Sequence, residues 1–263
     1  VVVALIPIEF DAGPRSPVYS SLFSALPVSL ITSPLLFTFV RVVLLVSALL
    51  WAAGKCIPVS CWVTVFAFTL MWSLRMENLT NGAHIFNVTN MLLVVHAMWF
   101  HFRAAEIRAA IQGGTFWQTP LYPRWVFFLS VFYIGWFHTL AGVTKISTSG
   151  IGWGNGLSLQ IWTAMFGWPP SPFGQVLLFD TRLTALMQTG ALALECLSIL
   201  CICGRRFRYA IGLGLTGFYI GVLTTFIDFG FHFNAILVAW FLLPVDIWFG
   251  LKFDRAANER TSS

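Results

Sequence analysis

Residues 132–162 read FYIGWFHTLAGVTKISTSGIGWGNGLSLQIW, and the fold class follows from how that stretch is read. Its first half is an apolar run without interruption up to a lone lysine, Lys145. Gly150, Gly152, Gly154 and Gly156 then break it, and Leu157 to Phe166 resumes as a short amphipathic segment. Followed back to Trp125, the run is about 20 residues, enough at 1.5 Å per residue to cross a ~30 Å hydrocarbon layer. Such a run with its one charge at the end predicts a membrane-spanning helix.

The rest of the chain agrees. Of its 263 residues, 58% are hydrophobic, 16% aromatic and only 10% charged, with a strongly positive mean hydropathy. A soluble domain carries about a quarter charged residues, so lipid has to serve as part of the solvent here. The expectation is an all-α, polytopic integral membrane bundle. Twelve tryptophans and 26 phenylalanines suit interfacial belts and helix packing. The net charge of +5 is the excess of 15 Lys and Arg over ten acids, and all the basic residues but Arg41 lie in loops or at the ends of apolar runs, which is a topology pattern and not a nucleic-acid surface. Five cysteines form no CxxC pair, so neither a disulfide framework nor a metal site is expected. Because the first residue is valine, the chain is expected to lack its true start.

Seven spans are predicted: about Leu35 to Ala53, Ile57 to Ser73, His84 to Phe102, Trp125 to Lys145, Leu183 to Cys203, Tyr209 to Phe226 and Phe233 to Leu251, with short interfacial helices between them. Residues 1–34 form an N-terminal interfacial segment, 35–251 the transmembrane domain and 252–263 a polar tail. Arg75 to Ala83 is a polar loop, residues 103–125 hold a basic amphipathic surface helix, and Gly204 to Arg208 is a basic turn. The sixth span carries Gly212, Gly214, Gly217 and Gly221, a spacing that lets helices approach closely. Alternating the spans puts ten basic residues on one side and four on the other. The positive-inside rule then places the C-terminus in the cytoplasm. It also places Lys145, the 75–83 loop and the Thr225 to His232 turn together on the outer side.

Three groups of polar residues could carry chemistry. A lysine at the end of an apolar helix often just extends its ammonium to the headgroups. An amine sheltered from water instead gives up its proton more readily and can serve as a general base. His138 lies seven residues before Lys145 on the same face, and either links it to the membrane interior or bonds a neighbouring helix. Asp228, His232 and Asn234 at the outer end of the last two spans form a proton relay, orient a substrate, or cap helix ends. His84, Asn87 and Asn90 make a polar stripe, which in lipid must face protein or a cavity. Glu195 and Arg41 are charges deep in apolar runs, and a mutual ion pair is one solution. The glycine-rich turn follows no strand, so nucleotide binding is rejected.

The run Ala141-Gly142-Val143-Thr144-Lys145, followed by Trp153 and Gly156, resembles the helix-end pattern AGV-x-K … W-x-x-G of the vitamin K-dependent γ-glutamyl carboxylase family. The membrane part of that family is the HTTM (horizontally transferred transmembrane) domain. Pro120-Leu121, the proline loop after the amphipathic segment, the closing helix at Phe233 to Pro244 and the polar loop Asn78 to His84 fall in register, so the resemblance covers about residues 30–250. It implies that Lys145 is the base that deprotonates a quinol, whose oxygenation then yields a base strong enough to take the γ-proton of glutamate. It further implies a quinone or quinol cofactor; beside Lys145, this reading takes Asp228 and His232 as assisting groups and His84, Asn87, His138 and Trp153 as substrate-binding residues. Three features depart from the family: Thr144 stands where it has a second lysine, its histidine before the last helix falls nearer Asp228 or Phe229, and its extramembrane β-rich domain has no counterpart in these residues. Two readings follow. One is a membrane enzyme acting on a quinol or another lipid-soluble substrate; the other is a non-catalytic accessory subunit packed with other membrane subunits and lipid. A transporter would call for inverted repeats, which this sequence lacks.

Overall fold

The computed structural model describes residues 27–31, 33–77, 87–116, 122–168, 171–226 and 231–244. Their regular elements are all helices, and the only β-type pairing among them is an isolated bridge between Gly167 and Phe226. The chain divides into two compact units, Val1–Leu121 and Tyr122–Ser263. The transmembrane domain expected over 35–251 includes parts of both, and the 252–263 tail lies outside the described residues.

The first unit holds α1 (Val28–Ile31), α2 (Pro34–Ala52), α3 (Val59–Glu77), α4 (Asn87–Phe102) and α5 (Ala104–Gln112). Ser33 caps α2 by accepting from the Leu36 amide, and Pro34 opens it, a position where a missing N–H costs nothing. Gly54 turns the chain toward α3 at φ +67°, and a Cβ there would lie 2.6 Å from the Ile111 side chain. In lipid the surroundings of a separated helix are as apolar as a partner helix, so association rests on close approach and hydrogen bonds. Here the bonds are Thr64 Oγ1 to Ser47 Oγ at 3.0 Å, joining α3 to α2, and Thr69 Oγ1 to Asn90 Oδ1 at 2.9 Å, joining α3 to α4. Part of the Asn87–Asn90 stripe is thus an interhelical fastening. The basic segment expected after residue 103 is α5, opened by an Arg103–Glu106 pair.

The second unit is built on α6 (Arg124–Ser149). A 3₁₀ turn (Ile151–Asn155), α7 (Leu157–Phe166) and α8 (Pro172–Phe179) follow. Then come α9 (Thr181–Leu197), continued as a 3₁₀ helix over Ser198–Ile202, and α10 (Arg205–Thr225) and α11 (Phe231–Leu242). Helix α6 runs one turn beyond Lys145, because Ser147 and Thr148 satisfy their hydroxyls on the Thr144 carbonyl rather than ending the helix. The basic stretch at 205–208 is helical, not a turn; it is the start of α10. The loop between α7 and α8 is clasped to the end of α10 by Trp168 N–H to Thr225 O at 2.8 Å and Ser171 Oγ to Thr224 O at 2.5 Å. Two of the four α10 glycines serve close packing. A Cβ on Gly212 would meet the Leu242 backbone at 2.9 Å and one on Gly214 the Leu194 side chain at 2.7 Å, whereas Gly217 and Gly221 face open space.

Among the described residues, four helices are long and apolar enough to cross a membrane: α2, α6, α9 with its 3₁₀ continuation, and α10, at 19, 26, 22 and 21 residues. They point to a membrane protein, and large apolar side chains such as Leu213 and Leu186, each 70% exposed, face outward from them. The predicted second, third and seventh spans coincide with α3, α4 and α11. As described, these fall short of a spanning helix: the apolar part of α3 ends at Leu74 before Arg75 and Glu77, α4 has 16 residues and α11 has 12.

Candidate functional site

One face of α6 organises the second unit. Gly135, Thr139, Gly142 and Lys145 recur three or four residues apart, so they share that face. A Cβ on Gly135 would lie 2.6 Å from Cys201 Sγ and 2.8 Å from the Ser198 carbonyl oxygen; on Gly142 it would lie 2.8 Å from the Cys196 amide nitrogen. Helix α9 therefore passes α6 nearly backbone to backbone. Between the two glycines, Thr139 Oγ1 accepts from the Ile199 amide at 2.9 Å and donates to the Glu195 carbonyl at 3.3 Å. Those two groups would pair with each other in a continuing α-helix. The inserted hydroxyl separates them, and α9 tightens into its 3₁₀ continuation at this place.

Glu195 occupies the last α-helical turn before the break and faces α6. Lys145 Nζ lies 2.6 Å from both of its carboxylate oxygens. The pair is unequally sheltered: the Glu195 side chain is 7% exposed and that of Lys145 31%. The deep acid of α9 is thus partnered from within its own unit by the lysine.

The glycine-rich turn has a structural task. Trp153 sits with its ring centroid 4.6 Å from Lys145 Nζ, a cation–π contact. The turn is strapped to α9 at two points and the start of α7 at a third. The Gln188 amide donates to the Trp153 carbonyl, Thr189 Oγ1 donates to the Gly154 carbonyl at 2.9 Å, and the Leu159 amide donates to Gln188 Oε1 at 2.9 Å. Gly156 has φ +89°, and a Cβ there would lie 2.7 Å from the Ala185 amide, so only glycine fits. The turn thereby holds an indole over the ammonium, which spends its three N–H donors on two carboxylate oxygens and a π face.

A second polar chain lies one helical stretch away, about 10 Å along α6. His138 is 3% exposed. Its Nδ1 lies 2.7 Å from the Ile134 carbonyl, which can only accept, so Nδ1 carries the proton. Nε2 is then the acceptor, and Tyr219 of α10 donates to it at 2.7 Å. The Asn234 side chain of α11, 2% exposed, hydrogen-bonds the same phenol. Each link crosses to a different helix, so the chain Asn234–Tyr219–His138 ties α11, α10 and α6 together. Replacing Tyr219 by phenylalanine leaves the imidazole without its donor and is expected to lower stability by about 1–3 kcal/mol in thermal unfolding of the detergent-solubilised protein.

Comparison with family models, curated proteins and solved structures found no match.

Of the residues singled out in the sequence, Lys145, His138 and Trp153 come together on or against α6, and Asn234 joins them through Tyr219. Of the two roles open to His138, it bonds a neighbouring helix. Asn87 opens α4 in the first unit. His232 falls in the first turn of α11, and Asp228 and His84 lie outside the described residues. Sequence reasoning missed Glu195 as the lysine's partner, together with Tyr219, Thr139 and Gln188. A signal existed for Glu195: it and Lys145 are opposite lone charges in long apolar runs. Tyr219 and Thr139 offered none, because nothing local distinguishes a buried hydroxyl that bridges helices from one that bonds its own backbone. The five cysteines are free thiols, with Cys61 and Cys201 buried.

Proposed function

We propose that the chain is an HTTM-type, γ-carboxylase-like membrane protein whose Lys145–Glu195 pair handles the proton of a quinol or another lipid-soluble substrate. The observation that carries this reading is the unequal shelter of the pair, a buried carboxylate bound to a lysine side chain that is 31% exposed. Glu195 takes the ammonium proton, which leaves Lys145 a neutral amine. The quinol O–H then breaks toward that nitrogen, giving a quinolate beside a restored ammonium. Trp153 offers a flat aromatic face beside the reacting nitrogen. His138 supports the wall behind it, and Asp228 and His232 assist proton movement. In this reading the chain crosses the membrane seven times with its C-terminus in the cytoplasm, as the ten-to-four division of basic residues implies.

The test is quinol binding and turnover by the purified protein in lipid nanodiscs beside a Lys145→Ala variant. Wild type is expected to bind and consume the quinol and the variant to fall to background. A variant that keeps full turnover, or a wild type that neither binds nor consumes any quinol, removes the reading.

A second reading has its own support. The ammonium is fully satisfied within the chain and His138 likewise, an arrangement suited to locking helices in a non-catalytic accessory subunit. Under that reading, other membrane chains are recovered with the protein by cross-linking in intact membranes, and quinol has no effect on it.

A further inference from the structure

Four arginines gather at one end of the second unit. Arg124 opens α6, and Arg205, Arg206 and Arg208 form the first turn of α10. The two helix starts are neighbours: the Arg208 guanidinium carbon lies 4.9 Å from the centroid of Phe127, in the first turn of α6. Arg124, Arg205 and Arg206 are exposed, and Arg208 is half-buried.

Two independent features set this group apart from basic residues that merely mark topology. Arg205 Nε and Arg208 Nη2 both donate to the Tyr209 hydroxyl, at 2.8 and 3.1 Å, so two cations converge on one neutral oxygen. Their guanidinium carbons also lie 5.4 and 4.9 Å from the Tyr209 ring centroid. Two guanidinium groups held on one side chain concentrate positive charge at this point. The group also stands at the positive end of a 21-residue helix whose N-cap is Gly204, with no side-chain cap and no acid in the first turn. Helix starts ordinarily attract negative charge, and the first amides of α10 have no intrahelical partner. Among the described residues, no ion pair links Arg124, Arg205 or Arg206 to a carboxylate.

The setting narrows the anion. Helices α6 and α10 are of spanning length, so their shared end lies at the level of the lipid headgroups. Trp125 and Phe207, next in sequence to Arg124 and Arg206, are 38% and 51% exposed, as aromatic residues at a membrane interface are. We propose that Arg124, Arg205 and Arg206, with Tyr209 aligning Arg205 and Arg208, form a binding site for the phosphate headgroup of an anionic phospholipid. Guanidinium forks match phosphate oxygens in pairs, and a basic cluster at this depth draws acidic lipid from a mixed bilayer.

The test uses the whole chain in nanodiscs of mixed phosphatidylcholine and phosphatidylglycerol, with retained lipid identified by native mass spectrometry. Wild type is expected to retain phosphatidylglycerol over phosphatidylcholine by about tenfold or more, and Arg205→Gln/Arg206→Gln to bring the two near parity. Arg182→Gln, a charge removed at the other end of α9, should leave the preference unchanged. No preference in wild type, an unchanged preference in the double variant, or an equal loss in Arg182→Gln overturns the site. Inorganic phosphate added during release should not displace the lipid; full displacement overturns the lipid assignment in favour of free phosphate. If the double variant does not fold, Arg124→Gln carries the same test, with about a threefold loss expected. None of these outcomes depends on whether Lys145 handles a quinol.

Discussion

Replacing Gly142 by leucine is expected to cost about 3 kcal/mol or more of stability and to separate α6 from α9. Even the first added carbon would sit 2.8 Å from the Cys196 amide and 3.0 Å from Glu195 Cβ, and the nearest of these contacts is backbone, which cannot rotate away. Only movement of a whole helix relieves it, and that movement draws the Glu195 carboxylate from Lys145. Two measurements follow the event in the detergent-solubilised protein: the unfolding midpoint, and the rate at which Cys196, a half-buried thiol against Gly142, reacts with a maleimide. The first should fall and the second rise. Gly190→Ala is the matched control, since its added carbon meets nothing within 4 Å; a helix interior gains roughly 0.5–1 kcal/mol from that exchange. Equal losses at the two positions would show that the close crossing at Gly142 is not what holds α6 to α9.

The second large effect is at the ion pair itself. Glu195→Leu leaves the lysine facing a hydrocarbon wall. Breaking a fully buried pair from one side costs about 3–5 kcal/mol, and the partial exposure of Lys145 reduces the expected loss to about 2–3 kcal/mol. Adding Lys145→Met to the same protein is expected to recover most of that loss, because two apolar side chains can fill the space the pair occupied. The diagnostic quantity is the non-additivity of the two changes in a double-mutant cycle followed by equilibrium unfolding. If the double variant is as unstable as the sum of the singles, the two groups do not act on one another.

Much of the helical content was legible, for a physical reason. In lipid every backbone group has to be satisfied within its own segment, so long apolar runs admit few structures other than helices. The amphipathic Leu157 to Phe166 segment and the span around Lys145 could be read from periodicity and composition alone. Helix ends were less legible: α6 outlasts Lys145 because hydroxyls can bond backwards to their own helix, a choice that composition does not settle. The site was half legible. Lys145, His138 and Trp153 stand out as polar or aromatic residues in one unusual stretch. The partners of Lys145 and His138 come from α9 and α10, fifty or more residues later, and which residue on a distant helix faces inward is fixed by packing. The glycines at 150–156 read from sequence only as a turn that breaks the helix, with nucleotide binding rejected; their use is to bring a tryptophan over an amine and to let the chain pass close to α9.

The threonine inserted between Glu195 and Ile199 has a consequence for twist and pitch. A 3₁₀ helix turns about 20° further per residue than an α-helix and rises about 2.0 rather than 1.5 Å. Its side chains therefore eclipse every third residue instead of drifting around the axis. Glu195, Ser198 and Cys201 are three apart, and all are buried, at 5%, 0% and 2% exposure. The tightened winding keeps these three in a straight row against α6, where an unbroken α-helix would have carried Cys201 off the seam. A single hydroxyl on α6 thus acts as a gear tooth on α9: it sets the local pitch of its neighbour, and so decides which residues of that neighbour stay in register with Gly135.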